Sequence, residues 1–402
     1  MHMKVNILIL EILLGLNSVI FCQEITQLGI WNNNANFTVS YYQDRLITST
    51  TSGIIFLDVS NPANPVPSAS LPNPSSFPMA IEINGNYAYF GGGMVGYFMI
   101  ADISNLNFPV QTGIENNING TAYQIAIKDD CAFMPTNQDI LYAIDISDKS
   151  SPVVIDNINM GGFSSGIAVK GNYAYVGTEN GLKVVNIADP SNLTVVNTFG
   201  GNYRRISADP DNDRLFIAKS GTGFDVIDIS DPMNPVGLFQ GIGGSSTGNL
   251  VYNDGFVFQI GSASVSAFEI GNNSSTYLAS FSSTIAGQVN DVSARDSVFY
   301  LSTVNDVHVL KLSFNPTGID ETSLKSQFTV YPNPSSDFII VKPAHEMIIT
   351  NIDVFNSSGR LVRKVEDRSE LINISLAGWE AGIYYLSLKS NNVNKTVKFV
   401  KK

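Results

Sequence analysis

The stretch Phe224-Asp-Val-Ile-Asp-Ile-Ser-Asp-Pro-Met-Asn-Pro235 reads as a short apolar strand that ends on an acid and runs into a Ser/Asp/Pro/Asn turn. The same pattern recurs at Gly53-Ile-Ile-Phe-Leu-Asp58, Tyr97-Phe-Met-Ile-Ala-Asp102, Leu141-Tyr-Ala-Ile-Asp145, Leu182-Lys-Val-Val-Asn186, Val265-Ser-Ala-Phe-Glu269 and Val307-His-Val-Leu-Lys311. The last residues of these strands lie 44, 43, 41, 42, 41 and 42 positions apart. A period of about 40–45 residues in an all-strand sequence is the length of one four-stranded propeller blade. The spacing therefore predicts an all-β chain built on a seven-bladed β-propeller.

Each unit carries a second landmark about a dozen residues earlier, such as Gly85-Asn-Tyr-Ala-Tyr-Phe90, Gly171-Asn-Tyr-Ala-Tyr-Val176 or Asp213-Arg-Leu-Phe216. Asn/Asp/Gly turns there join an inner strand, for example Ala80–Ile83 or Gly166–Val169, to an aromatic second strand. The aromatic residues of those second strands are expected to pack between blades. A fourth strand follows the turn in six units, five of those turns containing proline, and the last unit ends at Phe314 without one. Ile25-Thr-Gln-Leu-Gly-Ile-Trp31 stands unpaired ahead of the first unit and has the pattern to supply the missing strand, closing the ring.

The ends of the chain differ from its body. Residues 324–402 hold 11 basic and 7 acidic side chains, a net +4, which leaves −16 on residues 1–323. An acidic body is a poor match for nucleic acid, whose phosphates require Lys/Arg neutralisation. Lys4 precedes an apolar stretch from Val5 to Phe21, so residues 1–22 read as a secretory signal peptide cut after Cys22. Acylation of Cys22 is the less favoured alternative, because bulky Phe21 stands beside it. After cleavage only Cys131 remains, and stability must come from packing without disulfides. The expected organisation is a propeller over 23–314, a polar linker over 315–325 and a second β domain, a small Ig-like sandwich, over 326–402.

At Leu182-Lys-Val-Val-Asn-Ile-Ala-Asp-Pro190 and Phe224–Pro235 the units resemble the LVIVD repeat of bacterial extracellular propellers, with the pattern weakening where Glu269 and Lys311 stand in. The terminal segment resembles the C-terminal sorting domain of type IX secretion cargo at Val330-Tyr-Pro-Asn-Pro334, Val354-Phe-Asn-Ser-Ser-Gly-Arg-Leu-Val362, Ala381-Gly-Ile-Tyr-Tyr385 and Lys398-Phe-Val-Lys-Lys402. Pro332, Asn333, Pro334, Gly359, Gly382 and Tyr384 carry that resemblance. It implies export to the cell surface or the medium, with the outer-membrane type IX machinery as partner. The repeat resemblance implies architecture and no defined reaction.

Chemistry-bearing residues are sparse. The chain has three histidines, His2, His308 and His345, too scattered for a His-based metal centre or a Ser/His/Asp system in one propeller site. Asp58, Asp102, Asp145 and Asp228 could form a ring of carboxylates, but each precedes a turn whose N–H groups it can cap, and the substitution by Asn186 fits capping better. Asp209, Asp211 and Asp213 have alternating spacing that could wrap calcium, and no other cofactor is expected. They lack the Gly and distal Glu of a calcium loop and are read as a solvated hairpin turn. Gly91–Gly96 and Gly241–Gly244 lack the features of a phosphate cradle and are read as loops between strands. These features favour a monomeric, non-catalytic binding or adhesion platform for a surface glycan or protein. A propeller-type hydrolase or polysaccharide lyase and a structural spacer are the competing readings.

Overall fold

The computed structural model describes residues 21–402 except 34–35, 210, 220, 247, 272, 283–287, 317–327, 344–348, 358–359, 366–370 and 391–393. Contacts separate the propeller, Gln23–Ser313, from a second compact unit containing Phe314–Lys402.

The propeller consists of seven four-stranded sheets. Blade one is Asn36–Tyr42, Arg45–Thr50, Gly53–Asp58 and Val66–Leu71, and its strand order, inner to outer, follows the chain. Blades two to six repeat that order. Blade seven takes three strands from Val289–Arg295, Val298–Thr303 and Asp306–Pro316, and its outer strand is Phe21–Asn32 from the other end of the sequence. The predicted closure is therefore the one observed. Ring closure is also visible at the axis, where every inner strand contacts the next, including Asn36–Tyr42 against Val289–Arg295. Within blade seven the buried His308 Nδ1 meets Gln27 Oε1 at 2.9 Å, which ties the closing strand to its neighbour.

Local chemistry explains why the repeat is so regular. All seven inner hairpins place an Asp or Gly in the left-handed region, among them Asp44 at φ 59°, Gly85 at 59° and Asp296 at 53°. These residue types tolerate that conformation, and it matches strand twist. In every blade the residue that follows the repeat's acidic or polar position returns its N–H to that hairpin, from Val59 to the Asp44 carbonyl in blade one to Leu312 to the Ser297 carbonyl in blade seven, at 2.8–3.0 Å. The hydrophobic core lies between blades. Ile47, Ile54 and Phe56 of blade one pack with Phe90, Tyr97 and Met99 of blade two, and Leu28 and Trp31 of the closing strand join the cluster shared by blades seven and one.

The inner strands would leave a ring of unpaired N–H groups along the axis, a costly edge. Side chains of other blades cap several of them. Asp291 Oδ2 accepts from Val39 N–H, Ser293 Oγ from Tyr41 N–H, Ser207 Oγ from Tyr252 N–H, and Gln124 Oε1 from Ile167 and Ile206 N–H.

One loop assignment is corrected. Gly241–Gly244 lie within the outer strand Val236–Ser246 of blade five, which extends with Gly221–Asp228 so that Gly221 faces Ser246. A Cβ at Gly241 would come within 2.1 Å of the Phe224 ring, so glycine is what lets this strand pass over the ring. Gly91 and Gly92 likewise end the strand Tyr87–Gly92.

The second unit is a two-sheet sandwich. Phe328–Tyr331, Phe338–Pro343 and Ile372–Ser375 form one sheet, and Leu361–Val365, Ile349–Asn356, Gly382–Ser390 and Asn394–Lys401 the other. Its core includes Ile339, Val341, Ile352, Val354, Leu386 and Phe399.

Candidate functional site

A cavity of about 230 Å³ opens where the inner strands begin, and all seven blades line it. Phe37 comes from blade one, Met79 from two, Tyr123 from the segment entering three, Phe163 and Ser165 from four, Arg204 and Arg205 from five, Gly248 and Asn249 from six, and Gln288 and Asn290 from seven. A register shift sits at this end of the inner strand in blades one, two, four, five and seven, for example between Pro78 and Ala80 or between Val289 and Asp291. Such bulges re-aim side chains, and here they turn consecutive residues of one strand toward the mouth of the channel.

Beneath the rim lies a polar network centred on Asp291. Its carboxylate accepts from Thr38 Oγ1 at 2.5 Å, Asn249 Nδ2 at 2.8 Å and the N–H groups of Val39 and Val292 at 3.1 and 2.9 Å. Arg205 reaches across the axis, donating through Nη1 to the Tyr123 carbonyl and placing Nη2 3.8 Å from Asp291 Oδ1. Arg204 turns the other way. Its guanidinium lies over the Phe163 ring at 4.5 Å, and among the described residues no carboxylate pairs with it. Glycines seat it: a Cβ on Gly166 would come within 2.0 Å of the Arg204 carbonyl oxygen, and one on Gly248 within 2.7 Å of its Cγ. The buried Ser165 hydroxyl lines the same cavity without a hydrogen-bond partner among the described residues. The mouth thus presents two guanidinium groups against one saturated carboxylate, ringed by aromatic faces and amides.

The LVIVD repeat family matches residues 78–116, 119–160, 161–200 and 212–240, which are blades two to five, and the secretion system C-terminal sorting domain family matches residues 329–402. The chain is an LVIVD-repeat propeller with a C-terminal secretion sorting domain. The sorting domain marks it for export through the type IX system to the cell surface or the medium, which makes that secretion machinery a partner. Among solved structures, the LVIVD propeller is similar to the β-propeller domain of Cps50 (Swd1) from Myceliophteria thermophila, at 10% identity and a TM-score of 0.57 over 72% of this chain and 99% of that one. It is also similar to the computationally designed Ika8 protein, at 11% identity and a TM-score of 0.53 over 71% and 99%. At such identities the likeness is one of fold alone. No curated protein matches the chain.

The residues singled out in the sequence lie away from the mouth. At the ends of the third strands, Oδ1 of Asp58, Asp102, Asp145 and Asp228 accepts the N–H of Ser60, Ser104, Ser147 and Ser230 at 2.9, 2.8, 2.8 and 2.7 Å, and Asn186 does the same for Ala188 at 2.9 Å. The serine hydrogen bonds hold the carboxyls of Asp58, Asp102 and Asp145 below their ordinary range.

Asp209, Asp211 and Asp213 do not converge, and the solvated-turn reading of Asp209 is corrected. Asp209 is 3% exposed and faces Arg214 Nη2 at 2.8 Å, with Asn212 Nδ2 3.0 Å from Oδ2. Burial opposes its ionisation, yet the Arg214 and Asn212 donors prevail and lower its pKa. Asp211 is exposed, and Asp213, at φ 53°, pairs with Lys170. No group of three metal-ligating side chains occurs among the described residues.

In the sorting domain, Asn333 Oδ1 accepts from Val400 N–H at 2.9 Å and its Nδ2 donates to the Lys398 carbonyl at 3.2 Å, while Ser335 and Val400 are joined backbone to backbone. The peptide bonds before Pro332 and Pro334 are cis. Tyr384 stacks on Phe399 and donates to the Glu380 carbonyl at 2.8 Å. Gly382 begins its strand with open space at Cα, and Gly359 lies outside the described residues.

The Arg204-Arg205 pair escaped the sequence reading. Its signal was adjacent cations at the start of an inner strand in a body of net charge −16.

Proposed function

We propose that the protein is an exported, non-catalytic binding platform whose propeller takes up a glycan or protein at the channel mouth. The observation that carries this reading is the mouth itself, the point to which all seven blades contribute and where unmatched donors gather. Concave sites with aromatic walls and a few convergent polar groups are where ligands are held. Catalysis by covalent attack needs a nucleophile beside a base. Ser165 has no partner among the described residues, and His308 is buried against Gln27 in the outer half of blade seven.

A glycan-array and surface-protein screen with the full chain tests the reading. Binding that disappears in Phe163→Ala is the expected result. Turnover of an ester, lactone or polysaccharide that is lost on changing one mouth residue would replace it with the enzymatic reading.

A further inference from the structure

We infer that the channel mouth selects an acidic saccharide, a chain bearing uronate carboxylates, with one acidic ring seated against Phe163 and Tyr123 and its carboxylate held by Arg204. The inference rests on the mouth being the docking site and adds the chemistry of what docks there.

Charge comes first. Arg205 has Asp291 within reach, but that carboxylate is already saturated by Thr38, Asn249 and two backbone N–H groups. Arg204 has no such partner among the described residues, and its side chain is held by stacking on Phe163 and by the close approach of its Cγ to Gly248. A guanidinium fixed with its donors unmatched is prepared to bind a carboxylate in two-pronged fashion. Ser165 Oγ, 5% exposed and without a partner among the described residues, adds an independent donor in the same cavity.

Shape and chemistry decide the class. A volume of about 230 Å³ is below the roughly 300–1,000 Å³ of drug-sized pockets and suits one ring with its neighbours extending into solvent. Tyr123 and Phe163, with centroids 6.0 Å apart, offer flat faces, while the Gln288 amide offers a donor and an acceptor for hydroxyl groups and Asn290, whose Nδ2 donates to the Asn36 carbonyl, offers its side-chain oxygen. An acidic peptide is less well served. Peptide strands dock by adding to a free sheet edge, and the inner edges here are capped by Asp291, Ser293, Ser207 and Gln124.

The test is calorimetric titration of the full chain with short oligomers of galacturonate, glucuronate and mannuronate, each beside its methyl ester, and with an acidic peptide of similar length. At least one uronate oligomer is expected to bind about tenfold or more tighter than its ester. Arg204→Gln should remove that preference, a loss of about 10- to 100-fold for the acid with the ester unchanged, as expected for a hydrogen-bonded charge. Ser165→Ala should lower acid affinity in the same direction and serves if Arg204→Gln fails to fold. Equal binding of acid and ester, both abolished by Phe163→Ala, would overturn the acidic selectivity while leaving the mouth as the docking site. Acid binding indifferent to all three substitutions would overturn both readings. Failure of every uronate oligomer, or preference for the peptide, would overturn the saccharide.

Discussion

Replacing Arg214 with alanine takes the cation away from Asp209, whose side chain is 2% exposed, while Arg214 itself is 13% exposed. Removing one member of a buried ion pair typically costs about 3–5 kcal/mol, because the remaining charge is stranded. Here Asn212 Nδ2 and the Asp211 N–H stay behind as donors, at 3.0 and 3.2 Å. We therefore expect the lower end, about 3 kcal/mol, which for a large domain corresponds to a fall of roughly 6–12 °C in Tm. Differential scanning calorimetry of the full chain at pH 7 measures it. The pH dependence supplies a second signature. In the parent the folded pKa of Asp209 lies below its unfolded value of about 3.9, so its contribution is complete above that pH and fades as pH falls through the folded pKa. In Arg214→Ala the buried carboxyl has lost its cation, its folded pKa rises above the unfolded one, and protonation relieves the penalty. The gap between parent and variant should then narrow as pH approaches 4. A variant that melts within about 1 °C of the parent at pH 7, or a gap constant between pH 7 and 4, would refute the reasoning. A parent Tm that drops on adding chelator would return calcium to this turn.

Three further outcomes are expected. Deleting residues 23–31 removes Ile25, Leu28 and Trp31 from the cores and the partner of His308, so Tm should fall by more than Arg214→Ala lowers it; an unchanged melt would mean the ring does not depend on that strand. Withdrawal from water pushes Glu82 up to about 8, so its folded form binds more protons than the unfolded chain between about pH 4.3 and 8, and stability is lost as pH rises through that window. Glu82→Gln should abolish this loss, with a gain in Tm over the parent that grows from pH 5 to 8, and a pH-independent difference would contradict it. Deleting residues 324–402 should leave a propeller that melts as before but stays in the cell envelope, and fractionation that finds the truncated form in the medium would deny the domain its sorting role.

The sequence revealed the frame of this protein far better than its candidate site. Blade number and closure were legible because the third strand repeats its acid, Asp58, Asp102, Asp145 and Asp228, at nearly constant spacing, and because every hairpin needs Asp or Gly in a left-handed conformation. The mouth residues have no such common type. At equivalent points of successive blades stand Phe37, Met79, Tyr123, Ser165, Arg204, Gly248 and Asn290, and only the ring brings them together. Their variety is what a recognition surface on a repeating scaffold requires, and it hides them from any search for repetition. Asp209 was misread for a related reason. Alternating acids in a turn look solvated until the strand that follows carries Arg214 back over the first of them.

The grip of Asn333 on Lys398 and Val400 changes what kind of address the sorting domain is. The motif near its start and the basic residues at its end are over 60 positions apart in the chain but share one patch once the sandwich has formed. A receptor touching both would be reading a conformation, not a tag. Cargo still unfolded would carry every letter of the address without yet presenting that patch.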